Sequence, residues 1–334
     1  MESSSVPKFH HVADYIKNQI RGGRYRIGEI LPGERILAAE LSVSRPSVKR
    51  AVKALEKEGI IECNPSIGSI VRRPVTEKLL VGYLVPDLQD PFHLELIREL
   101  DSLLHKHHGA LLVRQGTDDS RLENMGITHM VKHHKLYAAS HPDSLPTIYT
   151  GDVPGQANMI VSDVPAGMEQ IYLHLKQLGH RRIAYASPFG REEDLQYRHL
   201  ERLLAADHLP APREWHFQVD PLDRDGCERA LHALRAAADR PTALVCYNDW
   251  LAIALSKAAR ELGLEIPNDL SVTGYDDLYV SSLLQVPLTT VRFSRKASAK
   301  KIIEILLQAR TAEYETAVVE TRLIVRQSTQ AVGH

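Results

Sequence analysis

Arg45, Lys49 and Lys53 recur every fourth residue, a spacing that sets three cations in one stripe along a helix. Ser44 is suited to cap that helix, and Pro46 falls in its first turn, where a missing N–H costs nothing. Val48, Val52 and Leu55 follow i, i+4, i+7 and give the opposite side an apolar face. Gly59 ends the helix. A packed helix with cations and small hydroxyls at its N-terminal end can enter a DNA major groove. The same pattern suits a solvated surface helix, so the neighbouring elements decide between the two.

Those neighbours are compact. Residues 9–21 place Phe9, Val12, Ile16 and Ile20 on one helical face, and Gly22-Gly23 stops them. Residues 25–32 form an extended connection. Residues 33–41 are expected to make a second helix with Ile36, Leu37 and Leu41 inward, and Ser42-Val43 turns into the basic helix. Residues 60–63 and 69–72 then read as two short strands around Pro65-Ser66-Ile67-Gly68. Three helices and a β-wing make a winged helix-turn-helix. Charge agrees: residues 1–75 carry a net +5, whereas residues 76–334 carry −6. A basic head on an acidic body suits a head that meets phosphates and a body that does not.

The run from Leu31 to Ile60, which opens Leu-Pro-Gly-Glu-Arg, resembles the head of GntR-type bacterial regulators. That resemblance implies DNA contacts from Arg35, from Ser44, Arg45 and Ser47 at the start of the recognition helix, from the basic pair Lys49 and Arg50, and from the wing glycine Gly68. Lysine at 49 offers a point charge and not a bidentate fork. Residues 72–78 are charged, contain Pro74 and lack apolar periodicity, as a short linker would. The expected domains are 1–74 for the head, 75–79 for the linker and 80–334 for the body.

In the body, apolar runs alternate with amphipathic stretches. Strands are expected at 79–85, 110–114, 135–139, 147–150, 182–186, 215–219, 243–246 and 271–273. Helices are expected at 91–108, 121–134, 164–178, 192–206, 224–238 and 250–262. Such βα alternation implies an α/β body of two doubly wound parallel-sheet lobes. The connection 140–146 is too short for a parallel crossover, which normally takes about a dozen residues. Either the first lobe has fewer helices or one flanking strand leaves the sheet.

Several segments in order resemble the effector domain of LacI/GalR-type regulators and periplasmic sugar-binding proteins. They include Val81–Phe92, Leu178–Ile183, Ala243–Asp249, Leu270–Asp277, Pro287–Val291 and Leu323–Ser328. The resemblance implies a ligand between the lobes, held by Asp90, Phe92, His93, Arg198, Asn248 and Asp276. Carboxylate, amide and guanidinium groups supply paired donors and acceptors for vicinal hydroxyls, and an aromatic face packs on C–H groups, so a sugar fits. Asn248 could instead only cap the following helix, and Asp276 could be a turn residue.

The remaining patterns point nowhere else. An apolar content of 43% with 25% charged residues describes an ordinary globular chain. With no long apolar run and a polar start, the protein is expected to be cytoplasmic and away from membranes. Cys63, Cys227 and Cys246 are too scattered for a disulfide framework or zinc site, and the histidines at 105, 107, 108, 133 and 134 lack acidic or cysteine partners at ligand spacing. No phosphate-loop or nucleophile-elbow motif occurs, and no cofactor is expected. The sequence therefore predicts an effector-responsive, DNA-binding repressor, a homodimer on a palindromic operator. An enzyme or a transport-type sensor built on the same body is the alternative.

Overall fold

The computed structural model describes residues 8–21, 23–65, 67–72, 79–133, 145–151, 157–307 and 315–333. The chain forms two compact units, Met1–Lys78 and Leu79–His334. Most of the expected linker 75–79 lies outside the described residues.

The head contains α1 (Lys8–Arg21), α2 (Glu34–Glu40), α3 (Arg45–Lys57), β1 (Ile61–Asn64) and β2 (Gly68–Val71). Val12, Ile16, Leu37, Val48, Val52 and Leu55 meet in one buried core, so the apolar stripes of all three helices converge. β1 and β2 pair antiparallel as the wing. Ile36 departs from expectation: it is 56% exposed, because the short α2 buries only Leu37 and Ala38 against the core. Residues 25–32 also do more than connect. Leu31 donates to the Ser69 carbonyl at 2.8 Å, and Ile30 bridges Ile70, so this segment lengthens the wing sheet.

The body is two lobes. Lobe 1 begins with β3 (Leu80–Val85), α4 (Pro91–Lys106), β4 (Ala110–Gln115), α5 (Ser120–Glu123), β5 (His129–His133), β6 (Thr147–Thr150) and β7 (Asn158–Ser162). The chain then enters lobe 2 through α6 (Val164–Gln177), β8 (Ile183–Ser187), α7 (Leu195–Ala206), β9 (His216–Gln218), α8 (Arg224–Ala236), β10 (Ala243–Cys246), α9 (Asp249–Glu261), β11 (Ser271–Asp276) and β12 (Thr289–Phe293). It returns to lobe 1 for α10 (Arg295–Leu307) and β13 (Thr316–Val319), and crosses back for β14 (Thr321–Ile324). Lobe 1 has sheet order β13-β7-β6-β5-β3-β4 and lobe 2 has β14-β12-β11-β10-β8-β9. Every pairing in these two sheets is parallel except β12 with β14. The strands are near-continuously apolar because helices cover both faces.

Three crossings join the lobes, at Ser162–Val164, Phe293–Arg295 and Val319–Thr321. They run side by side: Asp163 donates its backbone N–H to Val319 at 3.1 Å, and the Thr321 hydroxyl donates to the Asp163 carbonyl at 3.0 Å.

Several expectations for the body need correction. The helix expected at 121–134 is helical only over Ser120–Glu123. Gly126 takes φ +74°, which breaks the helix, and His129–His133 becomes β5, with Met130 and Val131 buried beside β3. The strand expected at 135–139 lies outside the described residues. The short connection is thereby explained without losing a strand: β6 pairs with both β5 and β7, and residues 134–146 join β5 to it. The helix expected from residue 192 starts at Leu195, where the Asp194 side chain caps it by accepting from the Tyr197 N–H at 3.1 Å. Sequence reasoning did not assign β7, β12, α10, β13 or β14.

One close approach fixes lobe 2 around β11. A Cβ on Gly274 would collide with Asp249 Oδ1 and stand 2.9 Å from Leu288 Cδ2. Gly274→Ala should therefore cost about 1–3 kcal/mol of stability through overpacking, read as a lower urea midpoint. An unchanged midpoint would mean that β11 yields freely.

Candidate functional site

In the head, Ser44 caps α3: its Oγ accepts from the Ser47 N–H at 3.4 Å and lies 2.8 Å from the Ser47 hydroxyl. Arg45, Lys49, Arg50 and Lys53 are all exposed, while Val48, Ala51, Val52 and Leu55 anchor the helix from behind. The cationic stripe is thus held rigidly outward, with two hydroxyls at its N-terminal end. Arg50 stands apart from the stripe: its guanidinium lies 4.7 Å over the Phe9 ring of α1. Arg35 is exposed on α2. Gly68 opens β2 at φ +113°, opposite Asn64 across the wing turn.

In the body, the carboxyl ends of the parallel strands of both lobes enclose a cavity of about 440 Å³. This is where an open α/β sheet presents a ligand crevice. Asp90, Phe92, His133 and Thr150 face it from lobe 1; Asp194, Gln196, Asn248 and Asp276 face it from lobe 2. Phe189, Tyr247, Tyr275 and Phe293 add aromatic wall. Polar groups set in an aromatic lining are what a small polyhydroxylated ligand requires.

Asp90, Phe92, Asn248 and Asp276 are brought together here as the sequence resemblance implies. Asp90 caps α4, accepting from the Phe92 N–H at 2.9 Å. Phe92 lies parallel to Phe293, centroids 5.9 Å apart, with the Arg295 guanidinium 4.6 Å over its face. That sandwich holds one wall of the cavity flat. Asn248 does cap α9, accepting from the Leu251 N–H at 2.9 Å. Capping uses its carbonyl oxygen and leaves the amide N–H donors. Asp276 sits at φ +113° beside Arg295, whose guanidinium is 3.8 Å from Oδ1 and also donates to the Asp276 carbonyl at 2.6 Å. Burial pushes the Asp276 carboxyl well above the usual range against the pull of Arg295, with Asp249, Asp90 and Glu95 adding to the rise.

Two of the expected ligands are placed otherwise. His93 is 2% exposed and shares a 2.9 Å hydrogen bond with the Tyr83 hydroxyl. It stands edge-on to Phe92 and His133, behind the wall and not in it, because position 93 falls on the core face of α4. Arg198 is exposed on α7 and borders a separate surface depression with Arg191 and Arg213. The α7 residue in the cavity is Gln196, two positions earlier. Residues two apart lie on nearly opposite helix faces, so only one of the two can look inward.

Asp249, which sequence reasoning treated only as a cap companion of Asn248, is fully buried at the start of α9. It accepts from the Leu278 N–H at 2.8 Å and the Ser281 hydroxyl at 2.5 Å through Oδ2, and from the Thr290 hydroxyl through Oδ1. Burial raises its pKa to about 6 although these bonds favour the charged form. Glu95 and Arg295 were also missed. Glu95 of α4 accepts from the Tyr279 N–H of lobe 2 at 2.9 Å and lies 3.7 Å from Arg295 Nε, tying the lobes beside the cavity. Among the described residues no cluster of His, Cys, Asp and Glu could hold a metal, and no helix is long and apolar enough to cross a membrane.

Known proteins share both halves. Residues 8–71 match the family model for bacterial regulatory proteins of the gntR family. Residues 172–329 match the periplasmic binding protein-like domain. The head is similar to the one, and the later part of the body to the other. The chain is a DNA-binding transcription regulator, and its likeness to known regulators extends over its length. An arabinose metabolism transcriptional repressor of Geobacillus stearothermophilus is 26% identical across 99% of this chain and 100% of the relative. A LacI family transcriptional regulator from Mycobacterium smegmatis superposes on 75% of this chain and 99% of its own, with TM-score 0.64 and 26% identity. The fold is also that of a LacI family regulator from Enterococcus faecium solved with bound ribose, at TM-score 0.67 and 22% identity over 76% of this chain and 100% of that one. These relatives do not favour the enzyme or transport alternatives.

The exposed stripe yields a paired test. Arg45→Ala should abolish sequence preference at one base position, costing about 1–3 kcal/mol on the specific site, while Lys53→Ala should weaken all duplexes alike. Anisotropy titrations on specific and random DNA separate the two. Equal loss on both for Arg45→Ala would contradict base contact by that residue.

Proposed function

We propose that the protein is a transcriptional repressor that binds a two-fold symmetric operator as a homodimer and is released by a small sugar held between the lobes. The observation that carries this reading is the cavity itself. It lies at the strand ends of two lobes joined by three side-by-side crossings, in a chain whose other unit is a DNA-binding head. Relatives support the sense of the response: the curated arabinose metabolism relative is a repressor, and structures of the same fold hold ribose or sucrose.

The physical route is differential affinity. A ligand that touches both lobes binds their closed arrangement more tightly, and it can shift the equilibrium only by that difference. Asp90 and Phe92 approach from one lobe, and Asn248 and Asp276 from the other, so closure completes the hydrogen-bonding set. DNA contacts come from Arg35, Ser44, Arg45, Ser47, Lys49, Arg50 and Gly68, with Arg50 oriented through Phe9.

The test uses a duplex selected from a random library and a panel of sugars followed by thermal shift. A sugar at ~100 Kd should stabilise the chain by about 2.7 kcal/mol and weaken its hold on the selected duplex. Asp276→Ala should keep the fold and DNA binding but lose hydrogen bonds worth about 0.5–1.5 kcal/mol each of effector affinity. Calorimetric titration measures it. Unchanged affinity together with a lowered melting point would make Asp276 a turn residue and sink the assignment.

A further inference from the structure

The charge of the cavity lining is one-sided. Asp90 faces it from the start of α4, Glu193 and Asp194 from the approach to α7, and Asp276 from the end of β11. Among the described lining residues none is Lys or Arg. Arg295 is buried behind Phe92. It donates to the Asp276 and Phe293 carbonyls and stands beside the carboxylates of Asp276 and Glu95, so its charge is already matched. Arg191, the other nearby guanidinium, is paired with Glu201 at 2.5 Å and faces the separate depression outside. Among the described lining residues His133 of β5 is the one imidazole.

Gln196 adds a second, independent observation. It is 7% exposed, lines the cavity, and its Oε1 is buried without a hydrogen-bond partner among the described residues. A buried amide oxygen left without a donor carries a desolvation cost that a ligand hydroxyl or amine would relieve. Its neighbour Asp194 has no such vacancy: Oδ2 accepts from the Ser187 hydroxyl at 2.5 Å and the Tyr185 hydroxyl at 3.0 Å, and Oδ1 caps α7. Gln196 is therefore the α7 group open to the effector.

From this geometry we infer that the cleft selects against anionic sugars, taking a neutral or amine-bearing sugar, with Gln196 as the residue that reads a hydroxyl or amine donor and carboxylates in place of cations among the described lining residues. The inference rests on the sugar-cleft reading and adds the charge class to it. A phosphate or carboxylate placed near Asp90 and Glu193 would meet like charge in a partly desolvated space, with no Lys or Arg among the described lining residues to neutralise it. Phosphate recognition normally relies on arginine forks or lysine, neither of which is among the described lining residues.

Matched pairs test it on the full-length protein: D-ribose with ribose 5-phosphate, and D-glucose with glucose 6-phosphate and D-glucosamine, with L-arabinose alongside. Calorimetry and thermal shift should find at least one neutral or aminated sugar that binds roughly tenfold or more tightly than its phosphate. For that pair, Gln196→Arg should narrow or reverse the gap. Glu193→Gln, at an exposed rim position where folding is not at stake, should narrow it by removing one repelling charge. A phosphate that binds wild type as well as its neutral parent would overturn the inference while the sugar cleft stands. If no member of the panel binds at millimolar concentration, the sugar-cleft reading falls, and this inference falls with it. A gap unchanged in both variants would remove the assignment to these residues.

Discussion

The Asp249 carboxylate is the interaction on which the effector lobe depends. A charge with no exposed surface is costly, and it persists here because three donors converge on it from two pieces of chain. Through Leu278 and Ser281 it holds the segment after β11; through Thr290 it holds β12; and its own backbone begins α9. Those are the ends that carry Asn248, Asp276 and Phe293 to the cavity. Gly274 is required beside it because any side chain there would enter the space of the carboxylate. One buried anion thus sets the relative positions of three wall elements, which loop chemistry alone would leave loose.

A second layer connects that fixed wall to the opposite lobe. Arg295 is the first residue of α10, immediately after a crossing, and α10 packs on α4 in lobe 1. Its guanidinium reaches back to the Asp276 carbonyl, stacks on Phe92 and lies beside Glu95, while Glu95 accepts from Tyr279 of lobe 2. The same few groups shape the cavity and stitch the lobes together. A ligand that competes for Asp276, or presses on Phe92, therefore acts on the lobe contact as well as on the site.

Much of this was legible in the sequence where local chemistry dictates position. Ser44 announces the recognition helix because a hydroxyl before a prolyl turn is a cap, and the apolar spacing of Val48, Val52 and Leu55 fixes which face turns out. Asp90, Asn248 and Asp276 were implied by the resemblance to LacI/GalR-type regulators, and they follow strand ends, where an α/β sheet puts its ligands. What failed depended on helix phase and tertiary contact. Starting α7 at 192 instead of 195 ran through the Asp194 cap, and the family resemblance pointed to Arg198, whereas the α7 residue that lines the cavity is Gln196. Residues 129–133 read as helix because alternation is weak in a strand buried on both faces. Asp249, Glu95 and Arg295 draw their roles from partners far away in the chain, which no local spacing reveals.

The account centres on a ligand drawing two lobes together about three parallel crossings, and the distance across the cleft mouth measures that directly. Spin labels at Thr117, just after β4, and at Leu222, just after β9, report from exposed positions on opposite lobes. Cys63 is replaced by serine for this purpose, and Cys227 and Cys246 are buried. Electron–electron double resonance with and without a sugar that releases DNA should give a shorter and narrower distance distribution in its presence. An unchanged distribution at saturating sugar, in a protein that still lets go of its operator, would contradict lobe closure as the link between cleft and DNA.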